Sequence, residues 1–276
     1  MSEGSWPGWI VSCCKECEVI IMLFDSHTHT EFSADSEMLA SEAMETAERL
    51  GLGLVFTEHE DLEVAQNEFT FDPEAYWKKY YPLRGENLRL GVEIGMLEKS
   101  LEGSRQFVER VPFDQVIGSL HFIDDLDLYY PDFYKDKSKD EAYCRYFQAM
   151  AENVRRHDFI DVLAHIDYIC RAATYDDPEL DYGSFKPEID EVLKAAIETE
   201  TVLELNTRRF GEKLAIKELV PVYRRYRELG GKYVTMGSDA HKPGTIGAHF
   251  YQARQLVADL GLQVVTFCKR QLELCD

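Results

Sequence analysis

From Leu23 onward, short apolar runs alternate with amphipathic stretches along the whole chain. LFDSHTH (23–29) reads as a strand, and Met38 to Leu50 has helical spacing with Gly51 placed to stop it. LGLVFTEH (52–59) is a second strand, and PEAYWKKYY (73–81) opens a helix on a proline. LRLGVEIGM (88–96) is a third strand, Glu98 to Arg110 a helix, and FDQVIGSLHF (113–122) a fourth strand. Ser138 with Glu141 three residues on forms a capping box for a helix running to His157. IDVLAHIDYI (160–169), TVLELNT (201–207) and KYVTMGSDAH (232–241) continue the strands. Helices are expected over 187–200, 217–229 (closed by Gly230 and Gly231) and 246–260, followed by a short apolar run at Val264 to Phe267.

Strand–helix alternation of this length predicts a parallel sheet covered by helices, which suits strands that are nearly continuous apolar runs. The fold class is therefore α/β, with a closed or nearly closed (β/α) barrel favoured over a doubly wound sheet. The latter usually carries a Gly-rich phosphate loop after its first strand, and none is present. Residues 22–276 are expected to form one domain. Residues 1–21 differ in character and read as a poorly ordered extension or a misplaced start.

The composition narrows the partners. A net charge of −21 argues against nucleic acid. The seven cysteines are odd in number and irregularly spaced, and Cys14-Lys-Glu-Cys17 is a lone pair without the second half of a zinc site. With no secretory signal and no membrane-length apolar run, a reduced cytoplasmic protein is expected.

The chemistry sits at the strand ends. His27 and His29 end the first strand, His59 the second and His121 the fourth. The third carries Glu93, the fifth His165, and the seventh Asp239 and His241. Six of the eight histidines thus fall where a parallel barrel converges on its active-site face. The other two, His157 and His249, fall in helices and read as structural. One histidine at a strand end is commonly structural, but a cluster of imidazoles with carboxylates is unfavourable unless something binds it. In a strand, residues i and i+2 share a face, so His27 and His29 can chelate one ion, with Asp35 in the next loop able to swing back over the mouth. Nine candidate ligands are too many for one ion and suit about two to three that share Glu93, with zinc, manganese and iron the metals that accept such donors.

The segments HTHTEFSAD, TEH, GVE, GSLHF, LAHID and GSDAH resemble, in order, the motifs of the PHP (polymerase and histidinol phosphatase) family. The connecting stretches FYKDKSKDEAYCRYF and RELGGKYVTMGSDAH are similar to its histidinol-phosphatase branch. The resemblance implies a distorted seven-stranded (β/α) barrel with a trinuclear metal site that hydrolyses L-histidinol phosphate to L-histidinol in histidine biosynthesis. It implies that His27, His29, Glu93 and Asp239 hold one ion, Glu93, His121 and His165 a second, and Asp35, His59 and His241 a third. Relatives often have small residues after the Asn-Thr pair of the sixth strand, where this chain reads Asn206-Thr207-Arg208-Arg209.

The residues themselves suggest the same reaction class. Divalent ions bring the pKa of water toward neutrality, and cations neutralise the phosphoryl oxygens during in-line attack. Arg171, Arg208 and Arg209 are the candidate phosphate contacts. The proton for the leaving oxygen is expected from metal-bound water, Asp239 or His241. A phosphatase for another small phosphomonoester or a nucleotide would use the same ligands. A non-catalytic metal-binding domain is disfavoured, because no ligand position is lost.

Overall fold

The computed structural model describes residues 22–64 and 69–275, so the N-terminal stretch read as an extension lies outside the described residues, with Cys13, Cys14 and Cys17. In chain order the elements are β1 (Phe24–Thr28), α1 (Ala40–Leu50), β2 (Gly53–Glu60), α2 (Pro73–Tyr80), β3 (Leu88–Gly95), α3 (Leu101–Val108) and β4 (Gln115–Ser119). A hairpin of β5 (Phe122–Ile123) and β6 (Leu126–Asp127) follows, then α4 (Lys139–Arg156), β7 (Val162–Leu163), α5 (Lys186–Glu198) and β8 (Val202–Asn206). The chain continues with α6 (Lys213–Leu229), β9 (Tyr233–Gly237), α7 (Phe250–Leu260), β10 (Gln263–Cys268) and β11 (Gln271–Cys275).

Local signals place the helices. Gly51 and Gly230 take φ of 69° and 112° at the ends of α1 and α6, a region that L side chains avoid. Ser138 N–H donates to Glu141 Oε2 at 2.8 Å while Ser138 Oγ accepts from Glu141 N–H at 3.3 Å, completing the expected box at the start of α4. Asp72 caps α2 ahead of Pro73. His157 and His249 stand at helix ends rather than inside helices. His157 closes α4 with Nδ1 2.9 Å from the Asn153 carbonyl, and His249 precedes α7 with φ of 61°.

The main sheet runs β1-β2-β3-β4-β7-β8-β9-β10-β11. Its first seven strands are parallel to their neighbours. The ring closes just past β9, where Thr28 bridges Ala240, His29 N–H donates to the Ala240 carbonyl (2.9 Å), and Asp239 N–H donates to the His27 carbonyl (2.9 Å). Below that closure, β10 pairs in parallel with only Tyr233 and Val234 of β9, and β11 returns antiparallel to it. The terminal apolar run is therefore a further strand beyond the expected seven.

A second correction concerns 160–169. Only Val162 and Leu163 are strand, and Tyr168–Arg171 is a 3-10 turn. Ala164 still donates to the Gly118 carbonyl at 2.9 Å, but the next N–H, of His165, is taken by the Glu204 side chain at 2.8 Å. The ladder stops there because a side chain replaces the neighbouring backbone as partner.

Two apolar layers support the site. The larger lies between sheet and helices, with Tyr76, Tyr80, Tyr143, Tyr146, Phe147 and Phe185 buried in it. Fully burying such a side chain contributes on the order of 2 kcal/mol or more. The smaller consists of Ile117, Val162, Ala164 and Val202 with Val265 and Phe267 of β10. Ile117 pairs in register with Glu93, and Val162 with both Ile117 and Val202, so these residues share the sheet face of Glu93. The β10–β11 hairpin thereby supplies a floor beneath the polar layer.

Candidate metal centre

Register brings the acidic and imidazole side chains together before any ligand is considered. His59 of β2 sits directly opposite Glu93 of β3, and both are buried. Glu93 Oε2 lies 3.2 Å from His27 Nε2, 3.5 Å from His29 Nε2 and 2.9 Å from His59 Nδ1. Its Oε1 lies 3.0 Å from His165 Nε2 and 3.4 Å from His121 Nε2. On the far side of β1, Asp239 Oδ1 is 3.6 Å from His29 Nε2, 4.0 Å from His27 Nε2 and 3.6 Å from His241 Nδ1. Asp35 reaches in from the loop after β1, with Oδ2 3.0 Å from His241 Nε2 and 3.6 Å from His59 Nε2. All nine residues named from the strand ends are thus in one cluster, while His157 and His249 are outside it.

The fit to metal is visible in the polar atoms. Nε2 of His27, His29 and His241, Nδ1 of His59, and Oε2 of Glu93 are buried without an aligned hydrogen bond. His59 Nδ1 to Glu93 Oε2 is a close approach, yet the two atoms do not form an aligned hydrogen bond. A buried polar group left this way costs roughly 1–3 kcal/mol, so several in one place call for a cation that all of them face. Four overlapping triads have donor atoms within 4.8 Å of one another: His27/His29/Asp239, His27/Glu93/His165, His59/Glu93/His121 and His29/His59/His241. The geometry pairs His121 with His59 and His165 with His27, both through Glu93, where the family resemblance places His121 and His165 on one ion.

The electrostatics agree. Burial pushes the His59 and His121 imidazoles down, but Glu93 with Asp35 acts on the first and Asp61 with Glu93 on the second, and both end near 10. Burial likewise opposes His27, whose pKa nonetheless stands well above its usual value because Glu204, Glu93 and Asp239 face it. His29 moves well below its usual value, through burial and the adjacent His59 and His241, whose rings stack on it at 4.2 Å. Glu93 stays ionised far below the usual carboxylate range because His27, His59 and His121 outweigh its burial. Protons on His27, His59 and His121 balance the carboxylates, and divalent ions at the cluster would replace them.

Behind the cluster stands a set of partners that the strand-end reading missed. Glu204 Oε1 is 2.7 Å from His27 Nδ1, and Asp61 Oδ2 is 3.1 Å from His121 Nδ1. Ser33 Oγ, 3.1 Å from His29 Nδ1, donates to Glu58 Oε2 at 2.7 Å. Each fixes the outer nitrogen of a histidine, which turns the inner one toward the cluster. The available signal was acidic residues inside otherwise apolar strands: Glu204 in VLELN, and Glu58 and Asp61 around His59.

Arg171 and Arg208 border the cluster. Arg171 Nη1 is 2.7 Å from Asp239 Oδ2 and Arg208 Nη1 is 3.1 Å from Asp239 Oδ1. Arg171 Nε has no partner, and the Arg171 side chain is largely buried, its guanidinium 4.9 Å from the Tyr168 ring centroid. Arg209, the third arginine expected at the phosphate, is set differently from the other two. Its buried guanidinium pairs with Asp167 (3.3 Å), Glu179 (2.6 Å) and Glu212 (3.1 Å), leaving its charge already balanced by three carboxylates. Asp239 itself has φ of 54°, an uncommon conformation for a residue with a side chain and a frequent mark of functional sites.

Residues 25–208 match the PHP domain family. The chain is 44% identical over 253 residues to a probable histidinol-phosphatase of Clostridium acetobutylicum, covering 91% of this chain and 99% of the relative. It is 30% identical to the histidinol-phosphatase of Lactococcus lactis, covering 90% of this chain and 96% of that one. The crystal structure of the Lactococcus lactis histidinol phosphate phosphatase complexed with zinc, L-histidinol and phosphate superposes with a TM-score of 0.85 at 29% identity, covering 91% of this chain and 98% of that one.

Proposed function

The chain belongs to the PHP domain family, and within it we propose that it is a histidinol-phosphatase, hydrolysing L-histidinol phosphate to L-histidinol and phosphate. One observation carries the reading: six imidazoles converge on Glu93 and Asp239 in a chain that matches histidinol-phosphatases along nearly its whole described length. The nine clustered residues would hold about two to three divalent ions, zinc, manganese or iron, with Glu93 shared. Such ions supply an acidified water and positive charge for the phosphoryl oxygens.

The chain's own groups would do the rest. Glu93 presents one oxygen to His27, His29 and His59 and the other to His121 and His165, so it would contribute to more than one cation position. Arg171 and Arg208 extend the positive field to the phosphate and offer charge-assisted hydrogen bonds of roughly 1.5–3 kcal/mol each. Asp239 is poorly suited to protonate the leaving oxygen. Despite its burial, Arg171 and His27 hold it well below the usual carboxylate range. His241 Nδ1 lies 3.0 Å from the Asp239 carbonyl and donates to it, while its Nε2 faces Asp35 Oδ2 at 3.0 Å. With Asp239 set aside, water and His241 are the sources for the proton of the alcohol. Beside His121, the β5–β6 segment forms a cleft of about 340 Å³ lined by Asp125, Asp127, Asp132 and Tyr130. Its negative charge suits the ammonium of histidinol better than the polyanion of a nucleotide. The histidine-biosynthesis role and a cytoplasmic site of action go with this reading. Among the described residues, no helix is long and apolar enough to cross a membrane.

The test is a panel of phosphomonoesters assayed on zinc- and manganese-loaded protein. Histidinol phosphate should give the highest kcat/KM by a hundredfold or more (about 3 kcal/mol of discrimination). Preference for a nucleotide or sugar phosphate would move the substrate assignment, and no turnover of any phosphomonoester would leave a metal-binding domain.

A further inference from the structure

We propose that Glu204 and Asn206 are positioning residues which join His27, at the metal centre, to the Arg171 guanidinium and the Arg208 backbone, at the phosphate position, through one hydrogen-bond chain; the proposal rests on the phosphatase reading above. Glu204 lies on β8 two residues beyond Val202 of the floor, so its side chain shares that inward face. Its Oε1 is 2.7 Å from His27 Nδ1, and its Oε2 accepts from His165 N–H (2.8 Å) and from Asn206 Nδ2 (3.2 Å). Both side-chain oxygens thus meet donors, and a carboxylate has no proton to offer back. His27 must then carry a proton on Nδ1, which leaves Nε2, the nitrogen that faces Glu93 and Asp239, as the one that would take a divalent ion.

The surroundings are built for this contact. A Cβ at Gly237 on β9 would lie 2.2 Å from Glu204 Oε1 and 2.5 Å from His27 Cβ, so only glycine leaves room for the pair. Tyr223 donates its hydroxyl to the Glu204 carbonyl and fixes the strand from behind. The chain then continues outward. With Nδ2 committed to Glu204, the Asn206 amide turns Oδ1 toward Arg171 Nη2 (3.3 Å) and Arg208 N–H (3.1 Å). A flipped amide would set donors against both. One carboxylate therefore determines the tautomer of a metal-facing histidine and the orientation of the amide that holds two arginines.

The test compares Glu204→Gln and Asn206→Ala with the parent, full-length and zinc-loaded. Glu204→Gln has the same shape but must turn an amide N–H toward one of the three donors. It should weaken zinc, measured by chelator competition, about 10- to 100-fold, and lower kcat. Asn206→Ala should leave zinc affinity within about twofold while raising KM and the inhibition constant of inorganic phosphate by about tenfold. A purely structural role predicts lower Tm for both variants with zinc and phosphate constants unchanged in the folded protein, and that result overturns the proposal. Imidazole ¹⁵N–¹H NMR of the zinc-loaded parent reads the tautomer without any variant. His27 protonated on Nδ1 is expected, and His27 protonated on Nε2 overturns the proposal even if Glu204→Gln fails to fold. A parent that hydrolyses no phosphomonoester overturns the phosphatase reading and leaves zinc affinity and tautomer to decide the role of Glu204.

Discussion

Two buried carboxylates at opposite ends of the barrel behave differently. Asp114, just before β4 at the floor, accepts from Arg84 Nε (2.7 Å) and Nη2 (2.6 Å), from Leu90 N–H (2.9 Å) and from Lys269 N–H (2.8 Å). Its lone pairs are satisfied by the fold, and the hairpin that closes the floor is tied down in the process. Glu93, at the mouth, faces five imidazoles and accepts an aligned hydrogen bond on only one oxygen. Burial alone therefore does not mark a site; what marks it is burial with the valence left open toward a common point. The floor spends its charges on structure, and the mouth keeps them for a ligand.

The sharpest way to break this contrast is at Glu93. Glu93→Gln should lower kcat/KM by more than about a thousandfold and remove most of the bound metal, because five imidazoles lose their shared anion. His121→Ala and His165→Ala should approach the same loss. His157→Ala and His249→Ala should change neither activity nor metal content; equal damage from all four histidine variants, by kinetics and elemental analysis, would erase the distinction between mouth and helix ends.

A smaller effect is expected at the rim. Arg171→Ala and Arg208→Ala should each reduce kcat/KM for histidinol phosphate roughly ten- to a hundredfold with metal content unchanged, and lysine should recover only part of it. At the floor the sign reverses: Arg84→Ala should cost about 3–5 kcal/mol of stability by stranding buried Asp114, yet leave kcat/KM of the folded protein near parent. Denaturant unfolding beside steady-state kinetics separates the two.

The two ends should also differ in pH response. In metal-free protein, His59 and His121 have pKa values raised from 6.5 to about 10, so their contribution to stability is complete below about 6.5 and lost as pH rises through about 10. At the floor burial opposes ionisation, but Arg84 and the N–H donors hold Asp114 below 3.8; its contribution is present above about 3.8 and lost as pH falls through its lower folded value. Metal removes the imidazole protons, so the alkaline loss should vanish on loading while the acid limb stays. Tm against pH, with and without chelator, checks this; parallel alkaline limbs would contradict it.

Much of this was legible in the sequence for identifiable reasons. Histidines at strand ends were readable because a parallel barrel brings those ends together whatever its details, and period-two spacing put His27 and His29 on one side. Helix ends at Gly51, Ser138 and Gly230 carried local chemistry that tertiary contacts did not override. Other features depended on contacts between distant segments. The run 160–169 is apolar enough for a strand, but Glu204, some 40 residues on, takes the His165 N–H and ends the ladder. The β10–β11 hairpin was missed as floor because its partners, Ile117, Val162 and Val202, come from three other strands. Arg209 looked free beside Arg208 until the fold brought Asp167, Glu179 and Glu212 around it.

The most direct measurement of the central claim is the metal content of full-length protein purified without chelator, by elemental analysis on protein quantified by amino-acid analysis. About two to three divalent transition-metal ions per chain are predicted, from four overlapping triads that share Glu93, His27, His29 and His59. One ion per chain or none, in protein that is folded and was supplied with zinc, manganese and iron, would contradict it.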